Sequence, residues 1–262
     1  MTGKWPVQTR ALTAEPASTV LCCDFDGTVA DIVTVPSTAT IHRVAAEALS
    51  MLAARLHVVA IISGRPVAFL RAQLGEELAG ALALYGRYGA EHLGDDGTIK
   101  DQPPAPDLRA RFELIATEAR HLAPGVRVED KGGSLALHWR QHPELGRQLL
   151  EFASSPAVMG LEARPGKLMV DLVAPGAPTK GNTLSTLLSS GTRHGCYIGD
   201  DVGDLDAFDA LDSFETSGGE AVRVAVSSPE MPSALRERAD LVLRDPAETA
   251  EFLAEIASAL PI

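Results

Sequence analysis

The sequence predicts an α/β fold: a doubly wound, Rossmann-like parallel-sheet core with a smaller α+β cap domain inserted into it. Three observations carry this expectation. Short apolar runs end in small polar or acidic residues, as strands buried on both faces do. Helical stretches alternate with those runs, which argues for right-handed crossovers and for ligands bound beyond the strand C-termini. Midway, the alternation gives way to a turn, a Pro-rich linker and strands spaced for hairpins, the pattern of an inserted module.

The first apolar run is Thr19-Val20-Leu21-Cys22-Cys23, and Asp24 ends it. A helix is expected over residues 41–56, then a strand over 57–62 that closes on Ser63-Gly64-Arg65-Pro66, where Pro66 can start the next helix. Residues 82–85 form a third expected strand. Beyond Gly94, Asp95-Asp96-Gly97 reads as a turn and Gln102-Pro103-Pro104-Ala105-Pro106 as a stiff linker, so a domain boundary is expected there. The insert should contain a helix (108–122), strands (126–129 and 134–140), a helix (143–152) and strands (159–163 and 168–173). The core resumes with a helix from Gly181, a strand over 195–198 that ends in Gly199-Asp200-Asp201, and strands over 221–226 and 241–243. These boundaries put the core at 1–102 and 178–262 and the cap at 103–177.

Composition narrows the function classes. Of 262 residues, 45% are hydrophobic and 22% charged, the balance of a globular chain with a sizeable core. The net charge of -12 argues against a nucleic-acid partner, whose phosphates call for clustered Lys and Arg. Residues 1–18 hold no continuous apolar segment of a secretory signal, and no later stretch is long enough to span a bilayer. The expectation is a cytoplasmic protein without membrane contact, a monomer or weak dimer. Cys22, Cys23 and Cys196 lie in apolar runs without zinc or disulfide spacing, so they read as reduced core residues.

The chemistry-bearing residues sit where the strands end. Asp24 and Asp26 flank Phe25 and precede Gly27, where the chain turns and its N–H groups can cradle an oxyanion. One carboxylate can attack while the other moves protons. An isolated Asp-x-Asp-Gly is more often a turn with solvated carboxylates. Three further segments change that balance. Ser63 offers a hydroxyl and a loop N–H to a phosphate oxygen, and Lys180 can neutralise a phosphoryl group and the attacking carboxylate. Asp200, Asp201 and Asp204 would repel one another without a hard divalent ion such as magnesium; the plainer alternative is a solvated acidic turn.

With these four segments in order, the chain resembles the haloacid dehalogenase superfamily of aspartate-nucleophile phosphatases over nearly its whole length. The resemblance implies a nucleophile at Asp24 and a general acid and base at Asp26. Ser63 and Lys180 become phosphate and nucleophile clamps, with Thr28, Gly64 and Arg65 also at the substrate. It implies Mg2+ held by Asp200 beside Asp24, within a metal group drawn as Asp24, Asp26, Asp200, Asp201 and Asp204.

Within that superfamily the chain is similar to trehalose-6-phosphate phosphatases. The residues that carry this are Ile62-Ser63-Gly64-Arg65, Glu129-Asp130-Lys131-Gly132, the following Ser134-Leu135-Ala136-Leu137-His138-Trp139-Arg140, and Gly199-Asp200-Asp201-Val202-Gly203-Asp204. By this resemblance Lys131, His138 and Arg140 are candidates to face the sugar, and Glu91 to line the cleft. Residue alternation alone gives a half-buried strand at 135–139, with His138 and Arg140 on its polar side, while Glu91 is equally a hinge or loop carboxylate. The chain departs from the family at Val173, where an Arg is usual, at Gly203 and Leu205, and at Tyr88, where a His is usual. The expected substrate is a small-molecule sugar phosphate, trehalose 6-phosphate first and a related disaccharide or pseudo-disaccharide phosphate second. A sugar phosphomutase and a silent sugar-binding relative are the other classes.

Overall fold

A computed structural model describes residues 5, 7–101, 105–166, 168–188, 191–229 and 231–260. Gln102, Pro103 and Pro104 of the expected linker lie outside the described residues. The chain forms two compact units, one of residues 1–100 with 179–262 and one of residues 101–178. In chain order the strands are β1 (Thr19–Cys23), β2 (Val58–Ile62), β3 (Ala83–Gly86), β4 (Glu91–Leu93), β5 (Ile99–Asp101), β6 (Arg127–Asp130), β7 (Ser134–His138), β8 (Glu162–Gly166), β9 (Met169–Val173), β10 (His194–Gly199), β11 (Glu220–Val226) and β12 (Leu241–Leu243).

The first unit is built on one sheet of order β12-β11-β10-β1-β2-β3-β4-β5. Strands β12 to β3 run parallel, and β4 is antiparallel to β3. Every residue of β1 is buried, because both of its faces are covered. Val20 and Cys22 pack in one layer with Leu184, Phe208 and Leu211; Leu21 and Cys23 pack in the other with Leu49, Ile61 and Phe252. Helices on both faces make the fold the doubly wound α/β architecture that the alternating runs predict. The parallel strands all point one way, so Cys23, Ile62 and Gly199 deliver the segments that follow them to the same edge of the sheet.

The turn expected at Asp95-Asp96-Gly97 is present and joins β4 to β5, two strands not expected from the sequence, with Gly94 N donating to Thr98 O at 2.9 Å. Both strands are short, and β5 is exposed at every residue, so neither has an apolar run to announce it.

The second unit is a four-stranded antiparallel sheet of order β6-β7-β9-β8. The helices Pro106–Leu122 and Gly146–Ala153 supply Phe112, Ile115 and Leu149 to a core shared with Leu135, Leu137, Val170 and Leu172. β8 begins at Glu162 and contains Pro165, which the outermost position tolerates because no ladder N–H is needed there. β7 stops at His138, which leaves Arg140 beyond it. Among the described residues no helix is long and apolar enough to cross a membrane. The three cysteines are free and buried, and burial pushes the Cys22 and Cys23 thiols well up, which makes both inert.

Candidate active site

Asp24 continues the β1 ladder, its N donating to Ile198 O of β10 at 2.9 Å. The chain then closes a tight turn: Val29 N and Ala30 N both donate to Phe25 O at 3.0 Å, and Gly27 N donates to Ala30 O at 2.7 Å. Gly27 has φ +76°, and a Cβ there would lie 2.0 Å from Asp200 Oδ2, so only glycine fits. Thr28 is fully buried, and its Oγ1 has no hydrogen-bond partner among the described residues. An orphaned buried hydroxyl at the end of a parallel sheet fits an anionic ligand's oxygen.

Lys180 opens the helix Lys180–Leu187 behind a reciprocal cap: Thr179 Oγ1 accepts from Asn182 N at 3.2 Å, and Asn182 Oδ1 accepts from Thr179 N at 3.1 Å. That start aims a buried ammonium inward. Lys180 Nζ lies 2.9 Å from Asp24 Oδ2 and 2.7 Å from Asp204 Oδ1. Asp204 Oδ1 also accepts the Tyr197 hydroxyl at 2.7 Å, while its Oδ2 accepts Asp200 N and Asp201 N, each at 2.8 Å. Asp204 is therefore a hub that fixes a lysine, a tyrosine and the start of the acidic loop. Burial raises the Asp24 carboxyl to about 7, with Lys180 pulling the other way. Burial also works against the Lys180 charge, but Asp204 and Asp24 more than offset it and hold the ammonium above its ordinary range.

Asp24, Asp200 and Asp204 are all buried, and each offers an oxygen within 4.8 Å of the others. Hard carboxylate oxygens so clustered fit magnesium. Both Asp204 oxygens are committed to donors, so Asp24 and Asp200 are the residues suited to holding the ion directly. Asp26 and Asp201, grouped with the metal acids in the sequence, stand outside the cluster. Arg65 grips Asp26 as a fork, Nε to Oδ2 and Nη2 to Oδ1, both at 2.7 Å, and its guanidinium lies 4.6 Å from the Phe69 ring centre. Asp201 Oδ1 accepts from Val202 N and caps the turn Val202–Asp204.

Other expected site residues are placed as follows. Ser63 is buried and its Oγ accepts from Arg65 N at 3.2 Å. The Ser63 N–H, expected to meet a phosphate, instead donates to Tyr85 O at 3.0 Å and extends the sheet. Gly64 sits against Tyr88. Glu91 Oε2 accepts from Val67 N at 2.7 Å and its Oε1 lies 2.9 Å from Arg87 Nε, so it secures a turn and a helix start. In the second unit, Lys131 Nζ pairs with the buried Asp171 Oδ2 at 2.8 Å, His138 Nε2 with Glu129 Oε2 at 2.8 Å, and Arg140 is half-buried after β7.

Tyr197 and Arg87 are not among the residues that the sequence singles out. A fully buried tyrosine in a strand signals that its hydroxyl must find a partner, which is the one hint Tyr197 carries. Arg87 carries none, since its place depends on backbone geometry.

A model of the trehalose-phosphatase family matches residues 22–242. A trehalose-phosphate phosphatase of Mycobacterium tuberculosis is 30% identical over 239 residues, 84% of this chain and 60% of the relative. An uncharacterized glycosyl hydrolase of the same organism is 33% identical over 204 residues, 72% of this chain and 15% of the relative. The chain thus spans about 60% and 15% of the lengths of these two relatives. The C-terminal domain of Candida albicans trehalose-6-phosphate phosphatase shares the fold, with a TM-score of 0.80, 21% identity and 98% of each chain covered. Since the matched span runs from within β1 to within β12 and takes in Asp24, Lys180, Asp200 and Asp204, the chain belongs to the trehalose-phosphatase family.

Proposed function

We propose that this protein is a magnesium-dependent phosphatase that hydrolyses a sugar phosphate, trehalose 6-phosphate first, through an aspartyl-phosphate on Asp24. The observation that carries the reading is the Lys180 ammonium shared between Asp24 and Asp204, together with an orphaned Thr28 hydroxyl in the turn that follows Asp24. The trehalose-phosphatase family model supports the choice of substrate.

An Asp24 oxygen attacks phosphorus, the P–O bond to the sugar breaks, and the departing oxygen takes a proton from Asp26. Water then attacks the phosphorus of the aspartyl-phosphate and gives its proton to Asp26. Inorganic phosphate leaves and the Asp24 carboxylate returns. Lys180 holds Asp24 Oδ2 throughout and offsets charge as it develops. Arg65 orients Asp26, and proton donation requires one arm of that fork to open. Asp24 and Asp200 would hold magnesium, which when bound offsets the negative charge of the phosphoryl group.

One observation favours a second substrate, a related disaccharide phosphate. Lys131 is committed to Asp171, and Val173 is buried where the family has a basic residue, so the polar groups expected to meet trehalose differ. Phosphate release should be measured with and without magnesium across trehalose 6-phosphate, related disaccharide phosphates and glucose 6-phosphate. Full activity in Asp24→Asn would overturn the mechanism. Equal turnover of glucose 6-phosphate and trehalose 6-phosphate would overturn the substrate.

A further inference from the structure

Left-handed backbone is uncommon in a residue that carries a side chain, and two in succession are rarer. Arg87 and Tyr88 both adopt it, at φ 48° and 62°, in the turn between β3 and β4. Neither is a residue type that visits this region routinely. The conformation persists because neighbours hold it from several sides. Arg87 N donates to Arg65 O at 3.0 Å and Tyr88 N to Ser63 O at 2.9 Å, which stitches the turn to the loop after β2. Thr183 Oγ1, from the helix that Lys180 begins, donates to Tyr88 O at 2.9 Å. Arg87 is anchored in turn by Glu91, whose other oxygen holds Val67 N.

The result is the placement of one ring. A Cβ at Gly64 would come within 2.8 Å of the Tyr88 hydroxyl and 2.9 Å of Cζ. The phenol therefore lies over Gly64, the one residue of Ser63-Gly64-Arg65 that has no side chain. Tyr88 is half-buried, so part of it meets solvent. Lys180, Ser63 and Thr28 already offer polar groups to a phosphate. A phenol offers a sugar something different, a hydroxyl partner together with an apolar face.

We propose that Tyr88 is a specificity-determining residue, held over Gly64 by the strained Arg87–Tyr88 turn so that it contacts the sugar ring attached to the transferred phosphoryl group. This rests on the sugar-phosphate phosphatase reading above. It adds a recognition contact in the first unit, supplied by the turn that also ties Ser63 to the Lys180 helix.

The test compares magnesium-dependent phosphate release from trehalose 6-phosphate and from acetyl phosphate, which carries no ring. The variants are Tyr88→Phe, Tyr88→Ala, Gly64→Ala and the Gly64→Ala/Tyr88→Ala pair. Tyr88→Ala should raise KM for the sugar phosphate about tenfold more than for acetyl phosphate, and Tyr88→Phe should show a smaller selective rise, the size expected for one lost hydrogen bond. Gly64→Ala should reproduce the selective rise by pushing the hydroxyl aside, yet add little once Tyr88 is Ala, a coupling that only direct contact predicts. If Tyr88→Ala does not fold, Tyr88→Phe and Gly64→Ala carry the test. Equal losses on both substrates in every variant would mean that the turn only supports the loop and would overturn the proposal. Unchanged KM values for the sugar phosphate would do the same. A wild-type protein that hydrolyses acetyl phosphate but no sugar phosphate overturns the function reading and this inference with it, and that failure is visible before any substitution is made.

Discussion

Lys180 meets Asp204 at 2.7 Å on the same oxygen that accepts the Tyr197 hydroxyl. The lysine that steadies Asp24 is thus itself steadied by a carboxylate whose four hydrogen bonds are all made by the protein. Tyr197→Phe removes one donor from a fully buried hub and leaves Asp204 under-satisfied. The expected cost is about 1–3 kcal/mol of stability, read by urea unfolding. Turnover should fall more than KM changes, because Tyr197 itself meets no substrate and acts only through the carboxylate that holds Lys180. A rise in KM at constant kcat would contradict the role assigned to Asp204.

Asp24 makes stability depend on pH in a definite direction. Burial pushes its carboxyl up to about 7 in the folded protein from an ordinary value of 3.8, with Lys180 pulling the other way. Between about pH 4 and 7 the native state therefore binds the extra proton, and stability falls as pH rises through that window, then stays level above it. Asp24→Asn cannot ionise, so in the presence of EDTA it should melt at a higher temperature than wild type above about pH 7, with the gain vanishing toward about pH 4. A difference in Tm that is constant across this range would exclude the burial account.

Gly27 and Asp200 occupy mutually exclusive space if any side chain is added at residue 27. Gly27→Ala should push the Asp200 carboxylate aside and strain a turn that needs positive φ. We expect the magnesium concentration for half-maximal activity to rise about tenfold, the scale seen when a metal ligand's support is disturbed, with the fold retained by circular dichroism. An unchanged magnesium requirement would remove Asp200 from the metal site.

Lys131 and Asp171 form a pair whose side chains are almost wholly out of solvent. Removing one partner leaves a buried charge, so Lys131→Met or Asp171→Leu alone should destabilise the protein by about 3–5 kcal/mol, and the two together by much less. Unfolding by urea distinguishes this from a sugar contact. If Lys131→Met alters KM for the sugar phosphate without loss of stability, Lys131 is a ligand rather than a brace.

Much of this is legible in the sequence, for physical reasons that differ by element. β1 can be read to the residue because a strand buried on both faces is a continuous apolar run, and an acid directly after such a run stands at the sheet edge where ligands bind. Asp24, Lys180, Asp200 and Asp204 are legible for the same reason, each lying at a strand end or helix start. β4 and β5 are not, since exposed edge strands carry no periodic signal. The sequence places β8 too early because Pro165 hides an outer strand that tolerates it. The Lys131–Asp171 pair joins residues forty positions apart, and the tyrosine-bearing turn depends on dihedral angles, which composition does not encode. Asp26 is legible as a chemical group but its partner Arg65 is not, because a phosphate and a carboxylate attract the same guanidinium.

The position of β1 at the interior of the eight-stranded sheet, between β10 and β2, also governs how this protein fails. Its amides are ladder-bonded on both sides and screened by two apolar layers, whereas β5 is exposed along its length. Hydrogen exchange should therefore release the outer ribbon early and the segment bearing Asp24 last, with the free energy of global opening. Heat would then not nibble at the nucleophile. Activity and the folded core would be lost in a single step, and protease clipping of the outer ribbon would leave the Asp24 segment standing.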